Sequence, residues 1–521
     1  MRCQLRSLIV AAITLTCIVS FWSVWRLGNG EAVLLNVPLP ESLSWLGNQG
    51  GQPTQGARPG ASNEESGDDD PSADVWDEKN SDYRILSSLR NARGYHNTVI
   101  AKATGYKIMN PTLLELPKSD RIPHDFLVIA RTTHVDKTVD GRKYRLARQV
   151  AMFANQTFTR NGRPVIQAGK WSRLLVQDYG SPVHHCQKQP DMDKYIGPED
   201  MKLFWTATGE PLLIFTHQVD DKVRCQGQFL IDARAAVPEL QELLSAETKL
   251  PKIRFAEPTG LHRIAPPGEE AHPRYQREKN WAPVQSPFSS DKEDLLFMVE
   301  PSQLFHFTNM SGVVESVMDK KDQQHSAVEP PYPLHNQGKE TWRSKHQTCL
   351  HDVMKSDAHV HQSSPMLSLT LCDRGKCKPS PENTVLIGMV QRRFDFPTWY
   401  DRRVVAYSSV APYRMLSVSK KLTYHGESES GTYAWTGSMA YFTHHRRFPP
   451  PSHGFLDDEV WLSFGIRDAA GGWIDVRARD LIRDHYLCEG APAAYSAKVE
   501  PATPVKHDDG GGEARRLHGS Q

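Results

Sequence analysis

Residues Ile196-Gly197-Pro198-Glu199-Asp200-Met201-Lys202-Leu203-Phe204-Trp205 carry the strongest chemical signal in this sequence. A Gly-Pro turn delivers two adjacent carboxylates at the start of an apolar strand. In extended chain, neighbouring side chains point to opposite faces. One carboxylate is therefore expected to face a cavity while the other braces the turn. Lys202, two residues after Asp200, is expected on the same face as Asp200. A carboxylate is a natural general acid or base, and one beside a cation suits recognition of sugars or phosphates. For an isolated Glu-Asp the competing reading is a solvated turn with a surface ion pair.

The segment has neighbours that change its weight. Met109-Asn110-Pro111-Thr112-Leu113 and His124-Asp125-Phe126-Leu127-Val128-Ile129-Ala130-Arg131 precede it. Arg224-Cys225-Gln226-Gly227 and Arg277-Glu278-Lys279-Asn280-Trp281-Ala282-Pro283 follow, and Gly454 to Asp468 closes the series. Taken in this order, from Asn110 to Asp468, they resemble enzymes that act on mannosides through a five-bladed β-propeller. These are the mannoside phosphorylases of glycoside hydrolase family 130 and related glycosyltransferases, including the fungal β-1,2-mannosyltransferases of glycosyltransferase family 91, which are Golgi type II proteins.

The resemblance implies roles for particular residues. Arg131 looks like the arginine ending a first-blade strand. Glu199, Asp200 and Lys202 look like a Glu-Asp-Pro-Arg signature, with Met201 in place of proline and Lys202 in place of arginine. Lysine does not reproduce the bidentate grip of arginine on a phosphate or a hydroxyl pair. Lys279, Asn280 and Trp281 look like the Lys-Asn-Trp-x-Pro segment of the transferase branch. Asp458 to Asp468 looks like the closing strand, ending in an acidic residue near the central axis. The implied site has Asp200 as catalytic base with Glu199 as its partner. Arg131, Lys202, Lys279, Asn280, Trp281, Asp458 and Asp468 would contact substrate.

Other constellations compete. Asp191-Met192-Asp193 has the form that metal-dependent transferases use to hold a divalent ion and a diphosphate, but the strand-helix alternation of that fold is missing. His351, His359 and His361, near Asp352 and Asp357, form either a metal cluster or a polar loop. Arg392-Arg393 and Arg402-Arg403 flank the aromatic segment Phe394 to Tyr400, which would hold a diphosphate and stack a ring, or else be a surface loop. No Gly-x-Ser-x-Gly elbow supports a serine hydrolase.

The elements that must position these residues read as strands. Apolar or alternating runs recur at Phe126–Ala130, Gln149–Phe153, Lys202–Thr206, Leu212–Thr216, Leu295–Val299, Met366–Leu371, Val385–Val390, Val404–Tyr407, Met439–Phe442 and Val460–Ile466. Clusters of Gly, Pro, Asp and Asn separate them. Helical periodicity is confined to Val237–Ala246 and Val476–Tyr486. Many short strands without βα alternation predict a propeller or stacked sandwiches. No WD or kelch repeat is visible.

The chain ends suggest export. Ser7 to Trp25 is uncharged and just long enough to cross a hydrocarbon core of ~30 Å. Trp22 and Trp25 suit the membrane interface, and Arg2 and Arg6 keep the N-terminus cytoplasmic. A cleaved signal peptide is the alternative, though Phe-Trp-Ser-Val-Trp is a poor cleavage context. Asn155 and Asn309 head glycosylation sequons. Beyond Cys3 and Cys17, the cysteines are Cys186, Cys225, Cys349, Cys372, Cys377 and Cys488, which predicts structural disulfides without choosing a pairing. Net charge is +1, with 62 Lys+Arg against 61 Asp+Glu, which argues against nucleic acid as a partner.

The expected organisation is a cytoplasmic tail over 1–6, a signal-anchor helix over 7–25, a disordered stem over 26–84, an all-β luminal propeller over 85–490 and a disordered tail over 491–521. The expected activity is inverting glycosyl transfer in the Golgi, from a nucleotide sugar such as GDP-mannose to a mannan or glycan acceptor. Need for a divalent metal is left open. Two alternatives keep the fold: a mannoside phosphorylase or hydrolase, and a non-catalytic glycan-binding protein.

Overall fold

The computed structural model describes residues 83–101, 107–178, 186, 190–219, 224–245, 250–263, 277–300, 303–307, 313–316, 345–354, 360–394, 399–427, 434–443, 448, 451–499 and 501–502. The chain divides into two compact parts, 1–73 and 74–521, and all described residues belong to the second. The expected anchor over 7–25, most of the stem, and Asn309 lie outside the described residues. Among the described residues, no helix is long and apolar enough to cross a membrane.

The described chain is all-β. Its main strands are β1 (Asn97–Ile100), β2 (Ile108–Glu115), β3 (Phe126–Thr132), β4 (Gln149–Phe158), β5 (Pro164–Ser172), β6 (Glu199–Trp205), β7 (Pro211–Gln218), β8 (Gln226–Asp232), β9 (Thr259–Arg263), β10 (Ala282–Val284), β11 (Leu295–Glu300), β12 (Gln303–Phe307), β13 (Val313–Ser316), β14 (Leu367–Thr370), β15 (Thr384–Phe394), β16 (Trp399–Ser408), β17 (Met415–Ser419), β18 (Ala434–Phe442), β19 (Glu459–Ile466) and β20 (Ala470–Arg477). All ten expected strands are present.

Antiparallel pairing groups these strands into successive meanders: β2-β3-β4-β5, β6-β7-β8-β9, β10-β11-β12-β13 and β14-β15-β16-β17. The last, β18-β19-β20, takes its fourth strand from the start of the chain. Asn97, Thr98 and Val99 of β1 pair with Trp473, Gly472 and Gly471 of β20. The circle of sheets is thus closed by hydrogen bonds between an early strand and a late one.

Apolar packing follows the same circle. Leu114, Leu127 and Ile129 pack with Leu203, Leu213 and Phe215 between the first two meanders. Leu212 and Leu230 pack with Trp281 and Phe297 between the next two. Val284 and Leu296 meet Leu386 and Val405, Leu369 and Ile387 meet Met439 and Leu462, and Trp461 and Trp473 meet Val128 and Ile166. Strands buried on both faces need no polar alternation, which is why Leu212 to His217 is buried throughout.

The first strand of each meander faces a common axis. A cavity is lined by Leu114 of β2, Trp205 of β6, Val284 of β10, Leu367 of β14 and Tyr441 of β18. It is apolar, and it lies at the ends of these strands remote from Asp200.

Two expectations are corrected. Val476–Tyr486 is not a helix: it holds the end of β20, a short 3-10 turn over Ala478–Leu481 and the start of a strand at His485–Leu487. Val476, Ala478, Leu481 and Ile482 are buried, so their helix-like spacing reflects a strand entering a tight turn. The packed region also continues past residue 490, because Tyr495 and Val499 are 2% and 3% exposed and Tyr495 shares a hydrogen bond with Ser417. The helix expected near Val237 spans Pro238–Ser245. The cysteines pair as Cys186–Cys225, Cys349–Cys488 and Cys372–Cys377.

Candidate active site

The Gly-Pro-Glu-Asp turn enters β6 through a defined set of contacts. Gly197 has φ +93, and a Cβ there would lie 2.7 Å from the Ala147 carbonyl oxygen, so only glycine fits. The Gln149 amide donates to the Pro198 carbonyl at 2.9 Å, and the Gly197 N–H donates to Gln218 at 3.1 Å. The turn is therefore held from β4 on one side and β7 on the other.

Beyond the turn, β6 is bulged. Glu199 pairs with Thr216 and Lys202 with Ile214, so three steps on β6 match two on β7. Asp200 occupies the extra position with φ +52. A bulge re-aims side chains and breaks strict alternation. Both carboxylates consequently meet one cation, where alternation predicted opposite faces. Lys279 Nζ lies 2.8 Å from Glu199 Oε2 and 3.9 Å from Asp200 Oδ2.

Asp200 and Lys202 line a small cleft together with Asn110, Arg131, Gln149 and Trp435. Lys202 is 1% exposed. Burial lowers its ammonium to about 8; Asp200 opposes this shift and Lys279 adds to it. For Glu199, burial favours the neutral acid, but Lys279, Arg131 and Arg277 outweigh it and hold the carboxyl at about 2. Glu199 is therefore an ionised brace across the working pH range. It pairs with Lys279 and keeps it beside Asp200.

Arg131 ends β3 and donates to His134 at 2.8 Å. Burial, and then the Arg131 charge, lower the His134 imidazole below its ordinary value, so the ring is a neutral acceptor for the guanidinium. Asp468, in the turn after β19 and also at positive φ, raises His134 in turn. Asn110 (φ +49) and Asn280 (φ +62) adopt the same left-handed backbone as Asp200. Their side-chain oxygens, and Arg131 Nε, are buried with no hydrogen-bond partner among the described residues. Asn110, Asp200 and Arg131 line the cleft, so strained backbone and unpaired polar atoms meet there, as at sites built for a ligand.

The structure brings Glu199, Asp200, Lys202, Lys279 and Arg131 together. It does not bring in Asp458, which accepts a forked pair of hydrogen bonds from Arg374 and caps the Phe455 N–H. Trp281 is fully buried against Phe297, with its N–H on Glu278, so its indole serves the core between meanders. Asn155 lies within β4, where its side-chain oxygen accepts the Asp125 N–H at 2.9 Å. Asp193 accepts the Cys186 N–H and pairs with Arg142, which commits it to local structure. Among the described residues no group of three or more His, Cys, Asp and Glu could hold a metal ion. The arginines around the aromatic segment are engaged: Arg402 with Glu427, Arg392 and Arg403 with Asp401. His359 lies outside the described residues.

Trp435, Gln149 and His134 were not singled out from sequence. No motif surrounds them, and only the closure of the sheets brings β18 and β4 to β6.

No protein-family model matches this sequence, and no curated protein matches it. Among solved structures, the chain is similar to a member of the GH130 family of mannoside phosphorylases, described as containing glycoside hydrolases that target β-1,2 mannosidic linkages in Candida mannan. Identity is 8%, coverage 78% of this chain and 98% of that one, and TM-score 0.39. An α-L-arabinofuranosidase from Podospora anserina gives 11% identity, coverage of 76% and 98%, and TM-score 0.32. An α-L-arabinanase from Cellvibrio cellulosa gives 6%, 71% and 91%, and 0.31.

Proposed function

We propose that this chain is a five-bladed β-propeller glycosyltransferase that moves a sugar, mannose in the first instance, from a nucleotide-sugar donor to a glycan acceptor. One observation carries the reading. Two carboxylates, Glu199 and Asp200, stand with three cations: Arg131 and Lys202 line the cleft with Asp200, and Lys279 lies against both carboxylates. An excess of cations suits a reactant bearing phosphate, and a carboxylate among them suits proton abstraction.

In this scheme Asp200 takes the proton of an acceptor hydroxyl as that oxygen attacks C1 of the donor sugar. The C1–O bond to the diphosphate breaks, and its electrons leave with the nucleoside diphosphate. Arg131, Lys202 and Lys279 stabilise the departing charge. Attack opposite the leaving group inverts the anomeric centre, so an α-linked donor gives a β-linked product.

The three disulfides support folding in an oxidising compartment. That agrees with an N-terminal anchor over 7–25 and a Golgi-luminal catalytic unit, both parts of the same proposal.

The same cations and carboxylate also support a second reading, mannoside phosphorolysis, in which inorganic phosphate takes the place of the diphosphate. Residues 74–521, secreted and purified, are to be incubated with GDP-mannose plus a mannoside acceptor, and separately with mannobiose plus phosphate. GDP release with a lengthened acceptor supports transfer, and mannose 1-phosphate supports phosphorolysis. Neither product, under conditions where the protein is folded, refutes both.

A further inference from the structure

Trp435 lines the cleft beside Asp200, Lys202 and Arg131, on β18 of the closing meander. It is only partly buried, although its strand neighbours Ala434 and Thr436 are fully so. Its indole N–H has no hydrogen-bond partner among the described residues. Two residues on, Gly437 lines the same cleft, and a Cβ there would stand 3.9 Å from Trp435 Nε1. The cleft wall beside the indole edge therefore carries no side chain at Gly437.

The ring is fixed from behind. Tyr400 of β16 packs against it, with centroids 5.3 Å apart at 59°. Tyr400 follows Trp399, which stacks on Phe394 at 3.9 Å and 3°. Cations cap that pair on both sides: Arg392 stands 4.2 Å from the Phe394 ring and Lys421 4.5 Å from the Trp399 ring. With both outer faces covered, Phe394 and Trp399 offer no platform themselves. They stiffen the end of the β15–β16 hairpin, which sets Tyr400 and, through it, Trp435.

We propose that Trp435 is the sugar-stacking wall of the cleft: a pyranose lays its apolar C–H face on the indole, with a hydroxyl turned toward Asp200. This rests on the glycan reading of the site and deepens it. An indole presents apolar area and one N–H donor together, which matches a sugar ring bearing C–H groups on its face and hydroxyls at its edge. Tyr400 is a positioning residue and does not touch the sugar.

The test is calorimetric titration of folded protein with mannobiose and mannotriose, without donor, for the wild type, Trp435→Phe, Trp435→Ala and Tyr400→Ala. Trp435→Phe is expected to bind within about 3-fold of wild type. Trp435→Ala should lose at least ~10-fold, and Tyr400→Ala should weaken binding by an intermediate factor. Should Trp435→Ala not fold, 5-fluorotryptophan labelling replaces it, with the Trp435→Phe spectrum identifying the resonance. That resonance is expected to move on adding mannotriose. Wild-type affinity in Trp435→Ala, or an unmoved resonance at saturating sugar, overturns the stacking role and leaves the glycan reading standing. No mannoside binding by wild type overturns the glycan reading and this role with it.

Discussion

Lys279 Nζ sits 2.8 Å from the Glu199 carboxylate and 3.9 Å from that of Asp200, joining the start of the third meander to the second. Glu199 stays ionised because of this ion pair. Its folded value, about 2, is below its unfolded one. The stability it contributes is thus present above about pH 4.5 and lost as pH falls toward 2. Lys279→Met leaves Glu199 buried without its main partner. Acid unfolding of the variant, followed by circular dichroism, is expected to begin at higher pH than in wild type, and kcat is expected to fall at least ~100-fold.

Lys202 has the opposite sign. Its folded value, about 8, is below that of an exposed lysine. Charging it therefore costs the folded state, fully below pH 8 and progressively less as pH rises toward 10.5. Lys202→Met is expected to stabilise the fold at pH 7, by on the order of 1–3 kcal/mol in urea titrations. The same variant should lose affinity for pyrophosphate. Wild-type pyrophosphate binding should fall as pH rises through 8, and Lys202→Arg should abolish that fall, since guanidinium stays charged.

Gly465 tests how the cleft wall is set. It pairs with Trp435 across β18 and β19, and a Cβ on it would lie 1.7 Å from Asn110 Oδ1. Gly465→Ala must push Asn110 aside although it touches no ligand. KM is expected to rise several-fold and the melting temperature to drop, by ~2–4 °C per kcal/mol lost.

The Cys186–Cys225 bridge closes 39 residues that include the Gly-Pro-Glu-Asp turn and all of β6 and β7. Chain entropy assigns such a loop about 4 kcal/mol. A Cys186→Ser, Cys225→Ser double variant should lose stability of that order in denaturant titration, with kcat falling more than the melting temperature alone implies.

The strands were legible because they are short apolar runs bounded by turn residues, as at Phe126–Ala130 and Leu212–Thr216. The Glu199–Lys202 segment was legible because its turn chemistry is local. Its bulge was not: whether Glu199 and Asp200 share a face depends on how β6 registers against β7. Lys279 was legible through its motif, but Trp281 in the same motif proves to be a core residue, since sequence order does not say which way a side chain turns. Asp458 resembled an axial acid, yet its partner Arg374 is distant in sequence and appears only once the sheets pack. Trp435 carries no local signal. It reaches the cleft because β1, from the other end of the chain, completes the last meander and draws β18 against β2.

The most direct measurement is the turnover of Asp200→Asn. Asparagine tolerates the left-handed backbone that Asp200 adopts at φ +52, so the substitution removes the charge and spares the fold. With GDP-mannose and a mannoside acceptor, Asp200→Asn should keep the wild-type melting temperature and donor affinity while kcat falls at least ~1,000-fold. Wild-type turnover in a correctly folded Asp200→Asn protein would contradict the assignment of Asp200 as the base and the reading of the cleft built on it.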